Sequence, residues 1–481
     1  MNDLQILGKT IAYRYIVAAI YAVVLFLDRL DLTIVNIALP TLAEHYNVSV
    51  TQTEWIANGF LLALAISIPI SGWLSDRFGD KRVFIIATSI FGLASLLSAF
   101  APNLWTMVFF RFLQGLGGGV IIPVGMSMVY RVFDHSEYAS ITSFIFLPTL
   151  IAPALAPALG GFIIHISNWQ WIFLFAVPIC LIAALLSYKV LTEHRINETT
   201  SLDWAGFIFS SCALISILSF ISILSKDGLT FFSFSVLILA AIFSFLFLKQ
   251  ESRAPSPLID IKYFKNKLFL QANLVQIAFQ ICHFGSFFLI GIYLQVSVGM
   301  SAFVAGLIIG MQALGAMCTS RYSVKLFGQI GPGIPIIAGF IGIAFFTSCI
   351  LFINQPDMIY LAASILFIRG IFSGLCGTPI QTSSIIGFDK KDVGRASAVF
   401  NAGRQVSISL GVALSSLLIS YGFKMHNLSL TQTVNNVDPS VFYYAFAMIP
   451  VVAMLGIIIA SKINNESVFS RINPPASSLI E

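Results

Sequence analysis

Gly72-Trp73-Leu74-Ser75-Asp76-Arg77-Phe78-Gly79-Asp80-Lys81-Arg82 is the stretch whose reading decides the fold. It is a short charged loop between two apolar runs, at 54–74 and 83–101. Each run is about 20 residues, enough to cross a bilayer core at ~1.5 Å rise per residue. A loop this short has no slack. Two membrane helices must therefore turn back on each other at once.

Composition agrees. Of 481 residues, 58% are hydrophobic and 10% charged, with a mean hydropathy of +0.91. A soluble chain carries about 25% charge, so the surplus apolar surface faces lipid. The net charge of +5 gives no reason to expect a nucleic-acid partner. Cys180, Cys212, Cys282, Cys318, Cys349 and Cys376 all fall inside apolar runs. Without a C-x-x-C or Cys/His cluster, neither a disulfide framework nor a metal site is expected, and the thiols read as small buried hydrophobes. Lys9 and Arg14 precede a long first run with no A-x-A-like site after it, which reads as a retained span rather than a signal peptide.

Fourteen spans are predicted, at 15–38, 54–74, 83–101, 104–128, 139–165, 171–191, 204–224, 230–248, 268–297, 302–322, 330–353, 358–384, 395–421 and 441–461. With both termini in the cytoplasm, cytoplasmic segments take about 20 of the 26 Lys and Arg, a bias that satisfies the positive-inside rule. The opposite loops keep only Lys226 and Lys424, while Arg29, Arg111, Arg369 and Arg404 lie within spans.

A repeat is visible in spans 4 and 12. Arg111 is followed by Gly115, Gly117, Gly119 and Pro123, and Arg369 by Gly374, Gly377 and Pro379. Spans 1–6 and 9–14 then read as two related six-helix bundles, with spans 7 and 8 as an inserted hairpin. The domain boundaries expected are 1–200, 201–255 and 256–481. The second half carries only a worn copy of the charged loop, around Arg321–Gly328, with no acid matching Asp76.

The charged stretch resembles the G-x-L-x-D-R-x-G-x-(K/R)-(K/R) loop between the second and third spans of the major facilitator superfamily, through Gly72, Leu74, Asp76, Arg77, Gly79, Lys81 and Arg82. Leu30-Asp31-Leu-Thr33-Ile-Val-Asn36-Ile-Ala38-Leu39-Pro40 resembles the L-D-x-T-x-V-N-x-A-L-P signature of that superfamily's 14-span drug:proton antiporter branch. Arg111-Phe-Leu-Gln114-Gly115, Asn168-Trp169-Gln-Trp171, Asp203-Trp204-Ala-Gly206 and Arg404-Gln405 match the branch in order along the chain. The resemblance implies an all-α polytopic membrane protein of the major facilitator fold, with parallel halves and a site at their interface.

Asp31 is the acid expected to carry the proton, because a carboxylate in a membrane helix should face a wet cavity or a partner. A fixed polar contact near the helix end is the competing reading. Asp28 stands one turn earlier on the same face, with Arg29 between the two acids. The signature usually has apolar residues at both positions, so this is a departure. Arg29 would favour anionic substrates if it faced the cavity, or pair with Asp28 if it did not. Arg111 matches an arginine that the superfamily keeps in span 4. Since arginine cannot deprotonate, its role is either to hold and release a carboxylate or to form a permanent ion pair.

Span 5 carries Pro153, Pro157, Gly160 and Gly161 in a stretch resembling the antiporter motif G-x-x-x-G-P-x-x-G-G, with Ala152 and Ala156 replacing glycines. The motif favours efflux over uptake. Asn36, Gln114, Gln276, Gln280, His283 and Gln312 are further cavity candidates, although a lone histidine such as His283 is more often a helix-to-helix hydrogen bonder. The resemblance also implies that Asp76 latches the first bundle to the positive start of span 13, near Val393–Arg395.

A proton-coupled exporter of hydrophobic or amphipathic small molecules is the leading reading, with an exporter of an anionic metabolite such as a siderophore as the alternative. The proton gradient replaces any cofactor. The expected partners are the substrate, protons and the lipid bilayer, with a periplasmic adaptor protein in a Gram-negative cell, and the chain is expected to act as a monomer. A polytopic enzyme would need a nucleophile or metal cluster, and a nucleotide-driven pump a G-x-x-x-x-G-K-(S/T) loop. Neither feature is in the sequence.

Overall fold

The computed structural model describes residues 4–6, 9–48, 50–194, 202–254, 261–389, 392–426, 437–463, 465 and 468. Arg195, Lys390 and Lys391 of the basic segments lie outside the described residues, as do the side chains of Asn36, Pro153, Pro157, Gly161 and Lys226.

Among the described residues the chain forms fourteen helices. They are α1 Tyr13–Tyr46, α2 Val50–Phe78, α3 Asp80–Ala99, α4 Leu104–Val132, α5 Tyr138–Ile166, α6 Trp171–Val190 and α7 Trp204–Asp227. There follow α8 Phe231–Glu251, α9 Lys267–Val296, α10 Ala302–Ile330, α11 Gly333–Cys349, α12 Ile359–Ile385, α13 Val393–Met425 and α14 Tyr443–Ala460. Within the described residues, 11 are long and apolar enough to span a membrane. Some side chains of α1 and α5 lie outside the described set, and the apolar part of α7 found within it is the shorter Trp204–Phe220. A small antiparallel hairpin, β1 Leu4–Ile6 with β2 Lys9–Ile11, precedes the helices and was not expected from the sequence.

Local chemistry sets several helix starts. The side chains of Asn103, Asp203, Thr230, Asn266 and Ser301 accept backbone N–H groups at the beginnings of α4, α7, α8, α9 and α10. Each satisfies an amide that the helix leaves orphaned.

The charged stretch is not a loop. Helix α2 runs through Asp76 and Arg77 to Phe78, and α3 begins at Asp80. Only Gly79 is non-helical, with φ at 90°, a backbone that favours glycine. Beyond the hydrocarbon core a helix can carry charge without leaving its hydrogen-bond ladder, so hydropathy ended the span earlier than the backbone does. At the corresponding place in the second half, α10 ends at Gly331 with φ at 78°, and α11 follows.

In the first half α4 packs against α2 and α3, and α1 against α5; in the second, α12 packs against α10 and α11, and α11 against α14. The halves meet where α5 touches α10 and α12, and where α13 touches α2 and α4. Helices α7 and α8 pack on each other, and α7 also lies against both α2 and α13. Phe231, Phe234 and Phe245 of α8 are exposed and suit a lipid-facing surface. The largest buried apolar cluster joins residues of both halves, including Tyr21, Phe60, Phe91, Phe340, Ile380 and Phe400.

Candidate functional site

Three side chains predicted from sequence meet between α1 and α4. Arg111 donates from Nη1 to Asp31 Oδ2 at 2.5 Å and to Gln114 Oε1 at 2.7 Å. Gln114 Nε2 closes the triangle by donating to Asp31 Oδ1 at 3.1 Å. Arg111 and Gln114 stand three residues apart, so one face of α4 presents both. All three are buried, and the guanidinium also lies 4.5 Å from the centre of the Phe60 ring. A buried pair of this kind is held by geometry: removing one partner costs about 3–5 kcal/mol, because the other is left as an uncompensated charge. Gly115 brings α4 close enough to α2, since a Cβ there would collide with the backbone carbonyl of Phe60.

Asp28 lies one turn away and is buried as deeply, but its surroundings differ. Its Oδ2 lies 3.5 Å from Arg29 Nε, and among the described residues neither oxygen accepts a hydrogen bond. Its Oδ1 fills space beside Gly118, where a Cβ would sit 2.7 Å away. From the other half, Arg404 on α13 interacts electrostatically with Asp28, Arg29 and the Tyr21 side chain. The hydroxyl of Tyr21 is committed elsewhere, donating to the Ile122 carbonyl at 3.0 Å.

The second half repeats the buried arginine, here with neutral partners among the described residues. Arg369 donates from Nε to Thr347 Oγ1 at 2.7 Å, from Nη1 to Gln312 Oε1, and from Nη2 to Ser286 Oγ and the Cys282 carbonyl. Helix α9 has a π turn at Ile281–Gly285, which carries His283. The His283 Nδ1 lies 2.9 Å from Ser373 Oγ, and the amide of Gln312 lies 3.4 Å from the ring. Gln312 and His283, candidates from sequence, thus belong to the Arg369 cluster. Gln276 and Gln280 on α9 are buried, and Gln280 Oε1 accepts no hydrogen bond among the described residues.

At the charged end, Asp76 is buried and its Oδ2 lies 2.7 Å from Arg395 Nε, in the first turn of α13. Gly72 lets that arginine lie flat on α2: a Cβ there would approach Arg395 Cγ to 3.3 Å. Asp80 is held by Arg131 at 3.2 Å and by the Ser75 hydroxyl. Arg77 lies over the Trp73 and Phe78 rings, Lys81 over Tyr188, and Arg82 is 3.5 Å from Glu193. Nearby, Gln381 of α12 and Ser397 of α13 donate to Met126 Sδ of α4 at 2.9 and 3.1 Å. Thr382 of α12 reaches Thr142 of α5 at 3.3 Å. The halves are therefore joined at this end by an ion pair and by neutral contacts.

Gly160 is buried within α5, whose backbone is helical through positions 153, 157 and 161. The Arg395 side chain was missed in the sequence, where only the start of its helix was singled out. Its signal was there: a cation in the first turn of a helix opposes the helix dipole, and needs a carboxylate partner. A recess of about 350 Å³ lined by His45, Asn103 and Trp105 lies far from these groups, at the other end of α1 and the start of α4.

Comparison with known proteins fits this geometry. Residues 21–412 match the Major Facilitator Superfamily. The chain belongs to the major facilitator superfamily. A "Multidrug resistance protein B homolog" of Mycobacterium tuberculosis (strain ATCC 25618 / H37Rv) is 31% identical over 408 residues, covering 83% of this chain and 75% of the relative. A "Putative multidrug resistance protein MdtD" of Salmonella paratyphi A is 27% identical over 448 residues, 92% and 93% of the two chains. The solved structure of the proton:xylose symporter XylE bound to 6-bromo-6-deoxy-D-glucose superposes with a TM-score of 0.62 over 92% of this chain and 95% of that one. At 14% identity this likeness shows the fold alone. Fourteen helices and relatives of this kind bear out the resemblance to the 14-span branch. The protein is thus a multi-pass membrane transporter of the major facilitator type, not an enzyme.

Proposed function

We propose that the protein exports hydrophobic or amphipathic small molecules in exchange for protons, by alternating access between its two halves. The observation that carries this reading is the buried acidic pair of α1, Asp28 and Asp31, set against Arg111 of α4. Burying charge in a membrane helix is costly, and such groups mark ion and proton pathways. The names of the multidrug resistance relatives support export of drug-like molecules. In this reading the ends bearing Asp76 and Arg395 face the cytoplasm together with both termini. Their ion pair is the latch that closes that side while the cavity faces outward, and α7 and α8 are a hairpin inserted at 201–255 between bundles 1–200 and 256–481. The transporter works as a monomer in the cell membrane, joined by a periplasmic adaptor in a Gram-negative cell.

A second reading keeps the fold and changes the cargo to an anionic metabolite such as a siderophore. It is favoured by the placement of Arg29 and Arg404 around Asp28, where positive charges outnumber negative ones. Everted vesicles with an imposed pH gradient test both. Gradient-driven accumulation of a cationic dye such as ethidium supports the first, and of an anionic dye such as fluorescein the second. Dye movement that ignores the gradient would sink proton coupling.

A further inference from the structure

The seam that shuts the end bearing Asp76 is polar, and its hydrogen bonding is incomplete. Met126 of α4 is touched by both α12 and α13: Gln381 Nε2 lies 2.9 Å and Ser397 Oγ 3.1 Å from its sulfur. A thioether is a weak acceptor, so two donors from the second half meet one poor partner from the first. Gln381 is 1% exposed, and its Oε1 accepts no hydrogen bond from the described residues. Ser127, next to Met126, is fully buried, and among the described residues its hydroxyl is equally unmet. The first turn of α13 presses on that hydroxyl, since a Cβ at Gly394 would lie 3.1 Å from it. A buried polar group without a hydrogen bond carries its full desolvation cost while the seam is shut, and water satisfies it once the seam parts.

We propose that Met126, Ser127, Gln381 and Ser397 form a second layer of the gate, working against the Asp76–Arg395 ion pair, and that Gln381 sets how readily that end opens. The inference rests on the alternating-access reading above and deepens it. The ion pair favours closure, because carboxylate and guanidinium meet only while α2 and α13 touch. The neutral layer favours opening, because its unmet atoms are satisfied only by water. A seam of apolar side chains at the same place would hold the halves shut, since none of them gains from hydration. Arg395 and Ser397 stand two residues apart on α13, so both layers act on one helix. Gln381 is the main opening element: it brings two polar side-chain atoms into the seam, and only its nitrogen finds a partner. Two substitutions should then act in opposite directions. Gln381→Met keeps the length of the side chain and removes both polar atoms, which favours the shut seam. Met126→Leu removes the acceptor and strands the amide, which favours the open one.

The test uses the purified full-length chain with its native cysteines replaced and spin labels at Trp105→Cys and Phe352→Cys. These exposed positions lie on opposite halves, at the end away from Asp76, so their separation grows as the seam shuts. Gln381→Met should raise the share of long separations and Met126→Leu the share of short ones. Each should change the ratio about fivefold or more, the scale of one unmet buried hydrogen bond. Added to Gln381→Met, Met126→Leu should have little further effect, since the donor it strands is already gone. A parent at one extreme leaves the decision to the variant expected to move away from it. Otherwise, shifts in the same direction, a missing shift in either variant, or a Met126→Leu effect undiminished by Gln381→Met overturns the proposal. If either variant does not fold, Ser127→Ala decides: it should raise the share of long separations, and no rise overturns the proposal. Dye transport in vesicles separates the two levels. Vesicles that move neither ethidium nor fluorescein, with the opposed shifts intact, remove the export reading alone. Unshifted separations in a protein that still drives dye remove the gate assignment alone.

Discussion

Asp31 and Arg111, 80 residues apart in the chain, meet at 2.5 Å with neither side chain more than 1% exposed. The contact ties α1 to α4 and makes each residue's stability depend on the other. Arg111→Gln should destabilise by about 3–5 kcal/mol, because Asp31 would be left as a buried, uncompensated charge. The Asp31→Asn/Arg111→Gln double variant should recover most of that loss. Thermal unfolding in detergent, followed as a double-mutant cycle, measures it. Additive losses would show that the pair does not act as a unit.

The Asp76–Arg395 contact is partly exposed on the arginine side, so its worth is smaller. At about 1 kcal/mol it shifts a two-state balance roughly fivefold. Asp76→Asn should therefore slow transport severalfold while leaving folded yield near the parent value. Reversing the pair, Asp76→Arg with Arg395→Asp, should restore part of the rate. Size-exclusion yield and dye efflux from vesicles give the two quantities. A fall in yield as large as the fall in rate would reduce the contact to a structural one.

The fourteen spans were legible because hydropathy and charge placement report directly on lipid. Their ends were less so. The first predicted span stops at 38, whereas α1 continues through Pro40 to Tyr46, and α10 runs to Ile330 rather than 322. Outside the hydrocarbon core, helix continuation depends on backbone hydrogen bonds and neighbouring chain, which hydropathy does not see. The site was legible one half at a time. Asp31, Arg111 and Gln114 stood out as polar residues in apolar helices, but their closed triangle depends on how α1 and α4 pack. Gln312 and His283 were visible, yet their shared tie to Arg369 follows from the π turn of α9, which no spacing rule announces.

Close packing makes a sharp contrast among glycines. Gly115→Ala should cost about 1–3 kcal/mol, since the methyl would strike the Phe60 backbone and neither helix can yield alone. Gly328→Ala, with nothing within 4 Å of its Cβ position, should be neutral or gain up to about 1 kcal/mol from helix propensity. Thermal stability of the two variants side by side tests the helix packing. Equal effects would contradict the closeness of α4 to α2.

The proposed orientation has its own test. In a cysteine-free background, Lys262→Cys should react with a membrane-impermeant maleimide only in everted vesicles, and Phe352→Cys only in right-side-out cells. The opposite pattern would invert the topology and with it the export direction.

The last prediction concerns the missing acid of the second half. Arg369 is fully buried, and its donors end on neutral oxygens of Gln312, Ser286, Thr347 and Cys282. In the first half a carboxylate fills the corresponding role. Gln312→Leu removes an acceptor from a buried guanidinium and should cost about 1–3 kcal/mol. Gln312→Glu keeps the acceptor and adds the absent charge, so an ionised glutamate there should be held by Arg369 much as Asp31 is held by Arg111. The glutamate variant should unfold at a temperature no lower than the parent, and well above the leucine variant. If glutamate destabilises as much as leucine, Arg369 does not accept a carboxylate. The halves would then differ in their electrostatics and not only in which residues they use. If glutamate stabilises, the second half has kept the geometry of an ion pair after losing its acid. The proposed proton site would then be confined to α1 by the lack of a matching acid beside Arg369, with the framework to hold one still present in α9, α10 and α12.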